Sequence, residues 1–436
     1  MKYTVPIALG SMLQILFNSA DLAVVGNFSR YKTAAAAAVS ATAPFISLVI
    51  NLFMGLSVGV NVVLARAIGS GDREHAFRTV HSATALAVFT GIFVAALGML
   101  TSPVAIGWMN CPEDAYGMSV QYMMIYFAGA PGMLVYNFGA AILRTKGDTQ
   151  RPLHFLIIAG VLNVALNFLF VVVFGLNAAG VALATTLTQY LAAFLTVRCL
   201  VLQTDETRLF IKKIRIFPAE TAQIIKYGLP AGVTSALYSI SNILIASQIN
   251  TYGTAAINGS GVVGNLEGYI ASWTGAFNAS AVAFAGQNIG AGKPERVRNS
   301  FIVCLIGSVA LSLAAGNLMC LFGEPLIRVF NASDPDVVRY GLIRAEVMLR
   351  CYFVYGFSNV FNGVLQAFGR SSEVMLNSVV SIFGLRTVWM TVVYPAHETF
   401  GMLFWCYPAS MLMIVVIDAV ILAAVWAKYR KTGQVK

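Results

Sequence analysis

Long apolar runs separated by short polar clusters dominate the chain. Dividing the sequence at these clusters gives about twelve segments of about 20 residues or more, the length that a helix needs to cross the hydrocarbon core of a bilayer. Strands of a membrane barrel would alternate apolar and polar residues, whereas these runs are continuous. The pattern predicts an all-α polytopic membrane protein with about twelve transmembrane helices. The predicted spans are 4–27, 34–64, 77–103, 118–143, 153–174, 179–201, 221–249, 256–286, 298–322, 338–367, 374–395 and 400–427.

The second half of the chain repeats landmarks of the first half at offsets of 224, 221, 226 and 222 residues. Six helices per half return the chain to the same side of the membrane, so the repeats are parallel, as in many transporters. We predict an N-terminal six-helix lobe at 1–201, a cytoplasmic connecting segment at 202–219 and a C-terminal six-helix lobe at 220–436. The matching pairs are Tyr3-x-x-Pro6 with Tyr227-x-x-Pro230, Ile68-Gly69-Ser70-Gly71 with Ile289-Gly290-Ala291-Gly292, Tyr126-Phe127 with Tyr352-Phe353, and Gly147 with Gly369.

Charge is scarce, and its distribution predicts the orientation of the chain. Only 11% of the residues are charged and 58% are hydrophobic, which excludes an ordinary soluble enzyme. The net charge of +10 would indicate nucleic-acid binding in a soluble protein, but here it reflects basic loops between spans. With the N-terminus inside, about 21 basic residues are cytoplasmic and about five are outside, which predicts cytoplasmic termini and an even helix count. The outside residues are Arg30, Lys32, Arg328, Arg339 and Arg344.

Cysteine and histidine form no ligand motif. The six cysteines, Cys111 among them, and the four histidines are dispersed, and His397-Glu398 lacks the second histidine of a zinc-protease motif. The Gly-rich stretches LARAIGSGDREHAFR and FAGQNIGAGKPERVR lack the residues of a phosphate-binding loop, which favours tight cytoplasmic turns. We predict no metal centre, no cofactor and no enzymatic activity.

Asp21 is the first candidate for chemistry within the membrane. It lies deep in the first span, in ILFNSADLAVVGNF, where a charge is costly and usually functional. Such a carboxylate can exchange a proton, or bind Na⁺ where further oxygen ligands are near. The alternative is a carboxylate satisfied by hydroxyls and amides alone.

Further polar residues lie in the fourth to sixth spans. Asn163 and Asn167 are four residues apart and therefore share a helix face. They either belong to a binding site or make polar contacts between helices. Thr185 in the sixth span and Tyr136 in the fourth offer hydroxyl groups, with the same two interpretations.

The second half offers a different set of charged residues. Glu267 interrupts the eighth span and is a separate site candidate, or a residue near the outer mouth. Arg386 and Asp418 lie nearer to helix ends, where snorkelling or an ion pair would satisfy them. No carboxylate matches Asp21, because the offsets lead to Asn242 or Ile245.

Three stretches resemble the MATE (multidrug and toxic compound extrusion) transporters. AGQNIGAGKPERVR is similar to the family signature after the eighth helix, and AAILRTKGDTQRPL to the loop between the fourth and fifth helices. PIALGSMLQILFNSADLAVVG is similar to the first helix with its aspartate. The resemblance covers nearly the whole chain, and it implies two six-helix lobes, alternating access and efflux of organic cations driven by H⁺ or Na⁺.

The resemblance also implies a cation site in the N-terminal lobe, which maps onto Asp21, Asn163, Asn167, Tyr136 and Thr185. Some members carry an aspartate where this chain has Asn167. The acidic residues of NorM-like members in the seventh and tenth helices are also absent. These departures point to the DinF-like side of the family, and both H⁺ and Na⁺ stay open as the coupling ion.

We therefore predict a cation-coupled antiporter that exports organic cations or amphipathic drugs across the bacterial cytoplasmic membrane. We expect a monomer that contacts membrane lipids. The alternative is a lipid-linked oligosaccharide flippase of the same superfamily, which would favour several arginines for a diphosphate. A receptor or intramembrane enzyme would need a signalling domain or a catalytic dyad, and the sequence has neither.

Overall fold

The computed structural model describes residues 1–29, 31–109, 113–330 and 334–432, without the side chains at 32, 33, 113, 114, 330 and 432. Across these ranges every regular element is a helix, which confirms the all-α prediction. Arg30, Cys111 and Lys436 lie outside the described residues, and so does the side chain of Lys32.

The first half contains seven α-helices within the described ranges, and α6 continues into a π-helical turn at Phe168–Val173. Their bounds are α1 Thr4–Phe28, α2 Lys32–Ser70, α3 Arg73–Trp108, α4 Glu113–Ala128, α5 Ala130–Thr145, α6 Gln150–Asn167 and α7 Asn177–Val201.

The second half contains ten α-helices within the described ranges, several of them short, and two more π-helical turns, at Val379–Gly384 and Trp389–Val393. The bounds are α8 Pro218–Asn250, α9 Thr254–Gly290, α10 Pro294–Leu321, α11 Gly323–Phe330, α12 Pro335–Met348, α13 Tyr352–Ala367, α14 Ser371–Ser378, α15 Leu385–Val388, α16 Tyr394–Ala396 and α17 Phe400–Thr432.

Nine helices of the described chain are long and apolar enough to cross a membrane, or ten when α4 and α5 count as one bent span. This number is roughly consistent with the twelve predicted. The helices at the predicted spans 256–286 and 338–367 are not among these nine or ten. The first of them is α9, whose many glycines, serines and asparagines lower its hydropathy.

The fourth predicted span is a broken helix. Its two parts, α4 and α5, meet at Gly129 with a bend of 42°. Pro131 lies in the first turn of α5 and lacks the N–H group that a continuous helix needs. The helix therefore breaks two residues before this proline.

The Gly-rich stretches form tight turns, as predicted. Gly71 between α2 and α3 has φ 73°, and Gly292 between α9 and α10 has φ 64°. Gly147 and Gly369 also have positive φ, at 103° and 70°. This left-handed backbone favours glycine because a Cβ atom is disfavoured there. The repeats thus share their turn conformations.

The chain folds as two compact units. The N-terminal unit comprises Leu9–Gly232, and the C-terminal unit comprises Met1–Ala8 with Val233–Lys436. The N-terminal unit thus begins eight residues later than the predicted lobe 1–201. It also includes the predicted connecting segment 202–219 and the first part of α8. In the C-terminal unit, the Thr4 hydroxyl bonds the Ser280 hydroxyl at 2.9 Å.

Glycines pack the first part of α8 against α2 within the N-terminal unit. Gly55 and Gly59 on α2 approach Gly228 and Gly232 on α8 so closely that a Cβ atom on any of them would overlap the facing backbone. Small residues four positions apart allow such a close approach of two membrane helices. This packing explains why the N-terminal unit extends to Gly232.

The connecting segment is attached to the N-terminal unit. The backbone N–H of Phe210 donates to His81 Nε2 at 3.1 Å, and that of Phe217 donates to Ser82 Oγ at 3.0 Å. Lys146 Nζ at the end of α5 pairs with Asp205 Oδ2 at 2.6 Å. Burial raises the pKa of Asp205, but hydrogen bonds from Lys146 and Thr207 outweigh burial and hold this pKa below its usual value.

We expect Gly59→Ala to destabilise the N-terminal unit. The added Cβ would overlap the Ile224 carbonyl, and overpacking of this kind costs about 1–3 kcal/mol. The melting temperature of the purified protein in detergent should fall. Gly275→Ala is the control, because its Cβ would meet no atom within 4 Å. Equal melting temperatures for the two variants would contradict the close packing.

We expect Asp205→Asn to lower the melting temperature at neutral pH and to have no effect in acid. A carboxylate with a lowered folded-state pKa stabilises the fold above its unfolded pKa, and this contribution is lost as the pH falls through the folded pKa. Melting curves at a series of pH values check this. Glu74→Gln, which removes an exposed i, i+4 pair with Arg78, should change little at any pH. A difference from wild type that persists in strong acid would exclude the charge as its cause.

Candidate cation site in the N-terminal unit

Asp21 lies within α1 and is only 7% exposed. Its Oδ1 atom accepts a hydrogen bond from Asn167 Nδ2 at 2.5 Å, and its Oδ2 atom accepts one from Thr185 Oγ1 at 3.3 Å. The carboxylate of α1 is therefore held by one side chain from α6 and one from α7.

Asn163 closes these contacts into a ring. Its Oδ1 atom accepts from Asn167 Nδ2 at 3.2 Å, and its own Nδ2 donates to Thr185 Oγ1 at 3.2 Å. The i, i+4 spacing on α6 places both amides on one face, as the sequence predicts. The structure thus brings together Asp21, Asn163, Asn167 and Thr185.

The carboxylate in this ring has no positively charged partner among the residues that the structure describes. Among the described residues, none forms an ion pair with Asp21, and the ring partners are neutral. The Oδ1 atom of Asn167 is buried without a hydrogen-bond partner in the described structure. Such a set of oxygens is chemically suited to a proton or a small hard cation.

Asp21 lies on the wall of two cavities of the N-terminal unit, with volumes of about 260 and 360 Å³. Asn18 and Tyr126 also line both cavities. A molecule in either cavity can therefore reach the neighbourhood of the carboxylate.

The sequence interpretation missed Asn18 and Tyr126 as site residues. Asn18 precedes Asp21 by three positions, so helical spacing alone would have placed it on the same face. Tyr126 stood out only as a repeat landmark, and its position beside the cavities depends on the break between α4 and α5.

Tyr136 lies outside this ring. Its hydroxyl donates to the backbone carbonyl of Pro152 at 3.1 Å, and its ring packs among Leu156, Ala159 and Ala192. The side chain belongs to the α5–α6–α7 packing and does not contact Asp21. The structure therefore does not group Tyr136 with the other four predicted residues.

The helix that carries the asparagines changes its hydrogen bonding directly after the site. α6 ends at Asn167, and the π-helical turn Phe168–Val173 follows. The backbone N–H of Phe174 donates to the carbonyl of Leu169 at 3.0 Å, five residues back. Helices often contain π turns at functional sites, where they redirect the side chains.

Glu267, the second-lobe candidate, is part of an ion pair. Arg344 Nε and Nη2 donate to its two carboxylate oxygens at 2.8 and 2.9 Å, and the two side chains are 12% and 13% exposed. Arg344 lies on α12, as the predicted span 338–367 implied, and not in the outside loop to which the charge count assigned it.

Arg386 and Asp418 correct a second expectation. Arg386 is 2% exposed and Asp418 is fully buried, so neither side chain snorkels to the surface of the protein. Neither of them forms an ion pair with a described residue. Asn377 Nδ2 donates to Asp418 Oδ1 at 2.7 Å. The sequence gives positions along a helix, whereas burial depends on the neighbouring helices.

Comparison with known proteins decides the family. The family model MatE matches the chain twice, at residues 6–169 and again at 230–392. The chain belongs to the MATE family of membrane transporters. The two matches also confirm the internal repeat, since their starts are separated by the 224 residues that relate Pro6 to Pro230.

Relatives agree over most of their length. A probable multidrug resistance protein YpnP of Bacillus subtilis is 30% identical over 384 residues, which cover 88% of this chain and 85% of the relative. A probable multidrug resistance protein NorM of Thermotoga maritima is 25% identical, with coverages of 88% and 83%. A crystal structure of MATE in complex with MaL6 has a TM-score of 0.90 at 18% identity, over 99% of this chain and 96% of that one. The MATE fold is thus shown, and placement on the DinF-like side stays a prediction.

We expect Asn167→Asp to make the melting temperature depend on Na⁺. Two adjacent carboxylates repel each other unless a cation or a proton lies between them. At a Na⁺ concentration ten times the Kd, binding would stabilise the variant by about 1.4 kcal/mol. Melting curves in NaCl and in choline chloride measure the effect.

The matched control for this prediction is the double variant Asp21→Asn with Asn167→Asp. It carries one carboxylate in the ring, as wild type does, and should show a weaker Na⁺ effect. If NaCl and choline chloride stabilise Asn167→Asp equally, the ring does not form a Na⁺ site.

Proposed function

We propose that this transporter is an antiporter that exports organic cations or amphipathic drugs in exchange for H⁺ or Na⁺ bound at Asp21. Asn163, Asn167 and Thr185 would provide further oxygen ligands or hold the carboxylate in place. The protein would lie in the cytoplasmic membrane of a bacterium, with both of its termini in the cytoplasm.

One observation carries this proposal: a buried carboxylate with only neutral partners lies on the wall of two cavities. A ligand shifts a conformational equilibrium only when it binds the two states with different affinity. Neutralisation of Asp21 by an ion changes the charge of the cavity wall, so it alters the affinity for a cationic molecule. Drug release and ion binding are coupled by this shared charge.

The lining of the cavities favours a cationic substrate over a lipid-linked diphosphate. No arginine or lysine lies among the described residues that line either cavity of the N-terminal unit. A diphosphate would need several such groups. Asp21 and the face of Tyr126 attract cations instead. The flippase alternative predicts lipid scrambling in liposomes, which this proposal does not.

We expect Asp21→Asn to reduce efflux of a fluorescent organic cation from proteoliposomes at least tenfold, because the amide neither binds nor releases the coupling ion. Imposed pH and Na⁺ gradients, applied separately, identify that ion. Asp72→Asn is the matched control, since Asp72 caps α3 through His75 N–H and asparagine is an equally good cap. Unchanged efflux in Asp21→Asn would refute the coupling role.

A further inference from the structure

The C-terminal unit has a cavity of about 120 Å³ that matches the Asp21 site by position in the repeat. Asn242 lies 221 residues after Asp21, and Tyr407 lies 222 residues after Thr185. Both residues line this cavity, together with Arg386. The repeat therefore places an equivalent site in each unit.

Arg386 lies between the positions equivalent to the asparagines of the N-terminal site. Offsets of 221 and 222 relate Asn163 to 384–385 and Asn167 to 388–389, and Arg386 on α15 lies between them. Where the N-terminal unit has amides that surround a carboxylate, the C-terminal unit has a guanidinium group beside Asn242.

The partners of Arg386 are all neutral. Its Nε donates to Ser410 Oγ at 3.0 Å, and its Nη1 lies 3.2 Å from Ser241 Oγ and 3.4 Å from Asn242 Oδ1. The ring of Tyr407 lies 4.2 Å from the guanidinium carbon. Nη2 is buried and has no hydrogen-bond partner in the described structure.

The charges of this cavity do not cancel. Glu267 also lines it, but both oxygens of Glu267 are engaged by Arg344. Asp418 does not line this cavity, its carboxylate accepts from Asn377, and it forms no ion pair with a described residue. One positive charge, that of Arg386, is left without a counter-ion among the described residues.

We propose that Arg386 binds an oxyanion, and that this oxyanion is the carboxylate of an amphipathic transported molecule. A buried guanidinium without a counter-ion is costly, and a carboxylate in the cavity that Arg386 lines would compensate this charge. Tyr407 and Tyr238 flank the guanidinium and would contact the apolar part of the molecule. The inference rests on the proposed export function and adds carboxylate-bearing molecules to its substrate class.

Equilibrium binding of a matched pair of probes tests the inference. Rhodamine B carries a free carboxylate, and its methyl ester differs only in lacking that charge. Fluorescence anisotropy with the full-length protein in phosphatidylcholine nanodiscs gives a Kd for each probe. Because no ion gradient is involved, failure of ion-coupled transport would not affect this result.

We expect wild type to bind the acid more tightly than the ester. Arg386→Gln should weaken binding of the acid about tenfold and leave the ester within about twofold, and Arg386→Lys should restore part of the preference. Arg350→Gln, which changes an exposed arginine paired with Glu346, should leave both Kd values unchanged. Ester binding by Arg386→Gln also shows that the variant is folded.

Three results would overturn the inference. Wild type without a preference for the acid would exclude a carboxylate site, even if Arg386→Gln does not fold. If Arg386→Gln weakens binding of both probes by the same factor in Kd, Arg386 has a structural role. A third arm uses nanodiscs with phosphatidylglycerol: if this lipid alone abolishes acid binding, the oxyanion is a lipid phosphate and the transported carboxylate is excluded.

Discussion

A charge buried among helices must be compensated by the protein or by something that the protein binds, and much of this molecule follows from that constraint. Asp21 receives hydrogen bonds from Asn167 and Thr185, but these donors are neutral. Their dipoles stabilise the carboxylate without removing its charge. Within the described part of the chain, α1, α6 and α7 therefore leave this carboxylate without an ion-pair partner.

The backbone near both sites departs from a regular α-helix. A π-helical turn follows Asn167 in the N-terminal unit, and two such turns flank the α15 segment that carries Arg386. In a π-helical turn each hydrogen bond spans five residues and not four. The side chains beyond the turn therefore point to a different face. The closely packed glycines of α2 and α8 are distant from these turns along the chain. The closest helix contacts and the π-helical turns are thus separated within the sequence.

Much of the fold and the core of the site could be predicted from the sequence. Apolar run length predicted helices, the i, i+4 spacing correctly placed Asn163 and Asn167 on one helix face, and the family resemblance grouped them with Asp21. The environment of Tyr136, Arg344 and Arg386 could not be predicted in this way. Their partners lie on other helices, and one sequence contains no information on which faces meet. The break at Gly129, which places Tyr126 beside the cavities, is another such case.

The repeat has a consequence for how the protein could have acquired two unlike sites. In an assembly of two identical half-length chains, every substitution would occur in both copies, so a carboxylate in one site and a guanidinium in the other could not coexist. Joining the copies in one polypeptide removes that restriction. The turns at Gly71 and Gly292 kept the same left-handed conformation, whereas the positions of Asp21 and Asn242 diverged in charge. A single polypeptide thus allows the two repeats to share turn conformations and still carry unlike residues at equivalent positions.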